Sequence, residues 1–132
     1  MRALVWTGPR SMEMKDVEAP TPQPDEALIR VAYSGICGSE LGGYLGENSL
    51  RVPPLIMGHE FSGDIVALGS DVDSADLSLS DRVTVNPIVV SHRSSAVERG
   101  RHNISRSRSV LGIHRPGSFA EFIAVPADLV HR

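Results

Sequence analysis

With one cysteine in 132 residues, the chain has no internal disulfide framework available to it. It has no block of like charge either. Its 13 basic and 16 acidic side chains are interspersed and give a formal charge of -3, which argues against a nucleic-acid partner and against charged tails. No apolar run approaches the roughly 20 residues of a membrane helix. The opening Met1-Arg2-Ala3-Leu4-Val5-Trp6 lacks the basic, apolar and small-residue succession of a secretory signal. These absences predict a soluble, cytoplasmic chain without membrane or nucleic-acid contacts. Also missing is any G-x-G-x-x-G motif, which excludes a dinucleotide fold of that type from these residues. The length fits a single domain, residues 1–132, with a modest core.

What is present is mainly strand signal. Arg2 to Trp6 is a short β run closed by Thr7-Gly8-Pro9, and Met12 and Met14 alternate with Glu13 and Lys15, so the two runs predict a hairpin. Prolines at 20, 22 and 24 remove backbone donors and hold a connector extended. Further strands are predicted over Ala27 to Tyr33, Phe61 to Leu68, Asp81 to Asn86 and Ser118 to Val125. Glycines at 42, 43 and 46 allow at most a short helical turn after Ser39. Residues 87–108 are polar and aperiodic and read as a long excursion. Short strands with Gly and Pro punctuation, and no strand and helix alternation, predict a mainly β barrel or sandwich. Closing the sheet would protect its edges.

The chemistry concentrates in Gly35-Ile36-Cys37-Gly38-Ser39-Glu40 and Gly58-His59-Glu60. Cys, His and a carboxylate are the ligand types zinc takes, and a catalytic zinc needs three protein ligands plus an open position. Singly, each residue also has an ordinary reading. A lone Cys is more often a small buried hydrophobe than a ligand. His59 can be a hydrogen-bonded or exposed imidazole, Glu60 an exposed carboxylate at a strand start, and Ser39 the N-cap of a short helix at Glu40.

Together with Phe61-Ser62-Gly63, Asp81-Arg82-Val83, Asn86-Pro87 and Gly117-Ser118-Phe119-Ala120-Glu121-Phe122, these motifs resemble the zinc-dependent alcohol dehydrogenases of the medium-chain dehydrogenase/reductase superfamily. The resemblance covers nearly the whole chain. It implies a GroES-like β-barrel with short helical turns, the catalytic domain that sits beside a Rossmann domain holding NAD(P). No Rossmann domain is expected in these residues, so the chain resembles half of an enzyme. The resemblance implies that Cys37 and His59 are zinc ligands, that Glu60 is either an alternating third ligand or a supporting group, and that Ser39 relays the proton of a small alcohol or polyol substrate. Glu40 stands where the family more often has Asp, and the extra methylene puts any supporting role there in question. Ser80 stands where the family commonly has Gly before Asp-Arg-Val, so a positive φ there would be strained.

Family members with a structural zinc carry four cysteines in the excursion, and the matching positions here are Ser91, Ser94, Val97 and Ser105. Serine hydroxyls do not ionise near neutrality to replace thiolates, and His92 and His102 cannot rebuild the site alone, so no structural zinc is expected. Two origins fit the joint loss: deliberate cysteine removal in an engineered single domain, and natural loss in a zinc-free branch. Two functions are compatible with these features. One is a catalytic-domain fragment that folds and binds one zinc but lacks the platform for hydride transfer. The other is a non-catalytic GroES-like interaction module or scaffold, for which the apolar Leu55-Ile56-Met57 would be the candidate docking tripeptide. Both predict self-association through the face a cofactor domain would otherwise cover.

Overall fold

A computed structural model describes residues 1–73, 75–90, 105 and 107–132. Over these residues the chain forms ten strands and one α-helix. They are β1 (Arg2–Gly8), β2 (Ser11–Asp16), β3 (Glu26–Ser34), α1 (Gly38–Leu45), β4 (Leu55–Ile56), β5 (Phe61–Leu68), β6 (Arg82–Val85), β7 (Ile88–Val90), β8 (Arg108–Val110), β9 (Phe122–Pro126) and β10 (Val130–His131). A five-stranded sheet has the order β10-β6-β5-β3-β9, a three-stranded sheet the order β2-β1-β4, and β7 pairs with β8. Backbone bonds from Leu4 N–H to the Phe119 carbonyl and from Glu121 N–H to the Arg2 carbonyl join the first two sheets into one curled barrel. The mainly β expectation therefore holds.

The predicted hairpin is present, with Arg2 opposite Asp16 and Trp6 opposite Met12. β3 is the central strand. It pairs antiparallel with β5 and β9, and its register against β5 shifts twice, between Leu28 and Ile29 and between Val31 and Tyr33. Such irregularities bend a strand and re-aim the residues beyond them. Here they lie just upstream of Gly35-Ile36-Cys37. Alternation along β3 and β5 sends Ala27, Ile29 and Ile65 into a core shared with Val83, Leu111, Ile123 and Val125. The larger aliphatic side chains among these each contribute about 1.5–3 kcal/mol on full burial. A smaller cluster of Trp6, Leu55 and Met57 fills the other end, with Tyr44 and Phe119 packed against it. Burial of Leu55 and Met57 leaves that tripeptide unavailable as a docking loop.

Three expectations need correcting. Gly38–Leu45 makes an eight-residue helix rather than a single turn, because its packing against Arg51 outweighs the propensity cost of Gly42 and Gly43. The last predicted strand begins at Phe122 rather than Ser118; Ser118 and Phe119 bond instead to the carbonyls of Gly58 and Met57. The excursion is not structureless at its base, since Ile88 pairs with Val110 and Val90 with Arg108. Of the four positions matched to structural-zinc cysteines, Ser91, Ser94 and Val97 lie outside the described residues, as do His92 and His102. Ser105 is buried, with its hydroxyl 3.0 Å from that of Ser107.

Ser80 does adopt a positive φ, 69°, at a cost on the order of 1 kcal/mol for a non-glycine residue. Its N–H donates to the Ile65 carbonyl, and the Ile65 N–H donates in turn to the Asp81 carbonyl. This exchange holds the strained turn against β5. At the barrel's other seam, Glu121 accepts from the Arg2 backbone N–H and from its guanidinium. These two contacts hold the Glu121 carboxyl below the usual carboxylate range, the backbone bond contributing most. Among the described residues no helix is long and apolar enough to cross a membrane.

Candidate metal centre

Cys37 is the N-cap of α1, with the extended backbone (φ -68°, ψ 153°) that a helix entry requires. Its N–H donates to Glu40 Oε2 at 3.1 Å, the reach-back half of a capping box. That local bond turns Glu40 inward, where its side chain is only 2% exposed. The helix start therefore orients two functional groups at once. Ser39 lies inside the first turn rather than at the N-cap. It is exposed, and its Oγ accepts from Arg51 Nη2 at 3.4 Å.

His59 arrives from another direction, between Gly58 and the start of β5. Gly58 has φ +95°, and its carbonyl packs against the backbone of Gly112 and Gly117. A side chain at Gly117 would place Cβ 2.1 Å from that carbonyl. This glycine contact sets the height at which His59 faces α1. The imidazole Nδ1 lies 2.8 Å from Glu40 Oε1. In the neutral ring, the nitrogen that faces a carboxylate acceptor is the one that carries the hydrogen, which puts it on Nδ1 and leaves the lone pair on Nε2.

The outcome is a trio in which the Cys37 thiol, a ring nitrogen of His59 and a carboxylate oxygen of Glu40 all lie within 4.8 Å of one another. Thiol, imidazole and carboxylate this close together suit zinc, and a carboxylate hydrogen-bonded to a ligating imidazole is a common feature of zinc sites. The fit is good on donor chemistry. Cys37 and His59 are thus brought together in space. Glu60 lies outside the trio: it is exposed, with its carboxylate beside Gly35 and its carbonyl accepting from the Gly35 N–H at 2.7 Å. His114 accepts from the Val110 N–H and so supports a turn. Tyr44 donates its hydroxyl to the Arg10 carbonyl and packs on the Trp6 cluster.

Sequence reasoning missed Arg51. Its side chain is fully buried, with Nη1 and Nη2 at 3.4 and 3.2 Å from Glu40 Oε1. The two buried opposite charges compensate each other, although Arg51 Nε is buried without a hydrogen-bond partner. Nothing local marks Arg51, since an arginine in a Gly- and Pro-flanked loop normally faces solvent. The signal for Glu40 lies in its three-residue offset from Cys37, the spacing of a capping box.

The fold and this trio define a β-barrel domain with a metal-ligand constellation on its rim. The sequence profile described as alcohol dehydrogenase GroES-like domain matches residues 23–132, and the chain belongs to that family. L-galactonate-5-dehydrogenase of Escherichia coli is 36% identical over 126 residues, covering 96% of this chain and 36% of that protein. (R,R)-butanediol dehydrogenase of Bacillus subtilis is 31% identical over 145 residues, covering 100% of this chain and 40% of that protein. The crystal structure of galactitol-1-phosphate dehydrogenase from Escherichia coli superimposes with a TM-score of 0.91 at 30% identity, covering 99% of this chain and 37% of that one. The chain spans less than half the length of these relatives.

Proposed function

We propose that this chain is the metal-binding catalytic portion of a zinc-dependent NAD(P) alcohol or polyol dehydrogenase and does not turn over alone. The observation that carries this reading is the convergence of Cys37, His59 and Glu40 from separate elements in a sequence without a dinucleotide motif. Cys37 and His59 would hold zinc, and Glu60, next in the chain to His59 but turned toward Gly35 in this structure, would swing inward to become the third protein ligand. Bound there, zinc would supply Lewis-acid polarisation of the substrate oxygen. Glu40 keeps the His59 ring in the ligating tautomer. Ser39, exposed at the same rim, would accept the substrate's hydroxyl proton. Hydride transfer needs NAD(P) on a platform that these 132 residues do not contain. The relatives' names support a polyol or sugar-derived substrate, and a free cysteine fits a reducing, cytoplasmic address.

The test is NAD(P)-coupled turnover on a panel of secondary alcohols and polyols, monitored at the nicotinamide absorbance. We expect no turnover above buffer from the purified chain. Sustained turnover from it alone would sink the reading.

Self-association belongs to the same proposal. Met14, Tyr33, Ile36 and Leu41 are large, apolar and exposed, and Met14 and Ile36 share a groove of about 480 Å³ with Leu4, Val31 and Phe119. Contiguous apolar surface of this kind favours association. Light scattering should give a mass above 14.2 kDa that rises with concentration. A constant monomer mass at millimolar chain would refute it.

A further inference from the structure

We propose that Arg51 keeps Glu40 out of a bound metal's coordination shell, leaving that shell open for substrate; this rests on the metal-site reading above. Glu40 is placed to be a ligand, since one of its oxygens lies within 4.8 Å of the Cys37 and His59 donor atoms. Its lone pairs are already occupied. Oε1 receives His59 Nδ1 at 2.8 Å and Arg51 Nη2 and Nη1 at 3.2 and 3.4 Å. Oε2 receives the Cys37 N–H at 3.1 Å. A carboxylate oxygen has two lone-pair directions, so Oε1 is fully engaged and Oε2 half so. The guanidinium also cancels the charge with which Glu40 would otherwise attract a divalent cation.

Arg51 itself cannot swing away. Its side chain is fully buried, Nη1 also donates to the Gly112 carbonyl at 3.4 Å, and Nη2 donates to Ser39 Oγ at 3.4 Å. The pocket for it exists because residue 43 is glycine: a Cβ there would sit 2.6 Å from Arg51 Cδ and Nε. Openness matters because three protein ligands leave a zinc position exchangeable, whereas a fourth closes the site into a structural one. With Cys37, His59 and Glu60 as ligands, a freed Glu40 would be that fourth. Arg51 is therefore a positioning residue, acting through Glu40.

The experiment measures Co²⁺ and Zn²⁺ binding to the whole chain, reading coordination from cobalt d–d absorption and affinity from chelator competition. Arg51→Met should bind Zn²⁺ about tenfold more tightly or better, within the range that changes around the ligands produce, with an altered cobalt spectrum as a carboxylate oxygen enters. Arg51→Lys, which keeps a cation beside Glu40, should stay near wild type. Gly43→Ala displaces the guanidinium without deleting its charge, so its cobalt spectrum should move the same way; it carries the test if Arg51→Met does not fold. In Arg51→Met/Glu40→Gln the gain should vanish. A gain that survives Glu40→Gln comes from charge removal alone and overturns the inference, as do unchanged spectra and affinities in both Arg51→Met and Gly43→Ala. A wild type that binds neither ion overturns the metal reading, and the inference with it; wild type binding with indifferent variants overturns the inference alone.

Discussion

Replacing Cys37 by alanine should lower zinc affinity by on the order of 100-fold or more, because a thiolate supplies a large share of the ~10–16 kcal/mol with which thiolate and imidazole sites hold the ion. The wild-type chain should bind one zinc, since a single cluster of three metal-ligating side chains exists among the described residues. Calorimetric titration of wild type and Cys37→Ala reads both quantities. The substitution isolates the metal effect well: it removes the thiol half of the capping box, but the Glu40 N–H keeps the Cys37 carbonyl at 3.0 Å and the Cys37 N–H that Glu40 accepts is retained in alanine. Folding should therefore be nearly unchanged in the absence of metal. Equal affinities would remove the metal role from Cys37 and favour the scaffold function.

Gly117→Ala should destabilise the chain by about 3 kcal/mol, the upper part of the usual range for overpacking. The added methyl would lie 2.1 Å from the Gly58 carbonyl oxygen and 2.6 Å from both the Gly112 Cα and the Met57 carbonyl. All three are backbone atoms, so no side chain can rotate to make room. Gly38→Ala is the control, because nothing lies within 4 Å of a Cβ there. With a urea slope of roughly 1–3 kcal/mol/M, the Gly117→Ala midpoint should fall by about 1 M or more while Gly38→Ala stays put. Zinc affinity should fall as well, since the Gly58 carbonyl that must move is bonded next to His59. A Gly117→Ala midpoint equal to wild type would mean that the turn does not pack as described.

The strands are legible in the sequence where one face is buried and one is not. Phe61 to Leu68 is predicted at its observed bounds because Phe61, Gly63 and Ile65 point inward in strict alternation. The start of the last strand is misplaced because Ser118 and Phe119 look like strand residues locally but spend their backbone groups on Gly58 and Met57. Two of the site's residues, Cys37 and His59, are legible from ligand chemistry and motif. Arg51 is not, because burial of its charge depends on Glu40 and on the missing side chain at Gly43, both set by tertiary packing. Glu40 illustrates an intermediate case. Its extra methylene relative to Asp argues against a supporting role, yet the longer arm is what lets one carboxylate reach the Cys37 N–H, the His59 ring and the Arg51 guanidinium together.

The short pair formed by β7 and β8 has a consequence for how this domain tolerates change. Ile88 pairs with Val110 right beside Leu111, which is completely buried in the main core. Whatever the intervening residues do, the chain leaves and re-enters the barrel at one clamped point. Closure entropy for a segment with fixed ends grows only logarithmically, about 0.6 kcal/mol for each doubling of length. Changes of length or chemistry between β7 and β8 are thereby insulated from the place where Cys37 and His59 meet, so the barrel can keep its shape while that segment diverges.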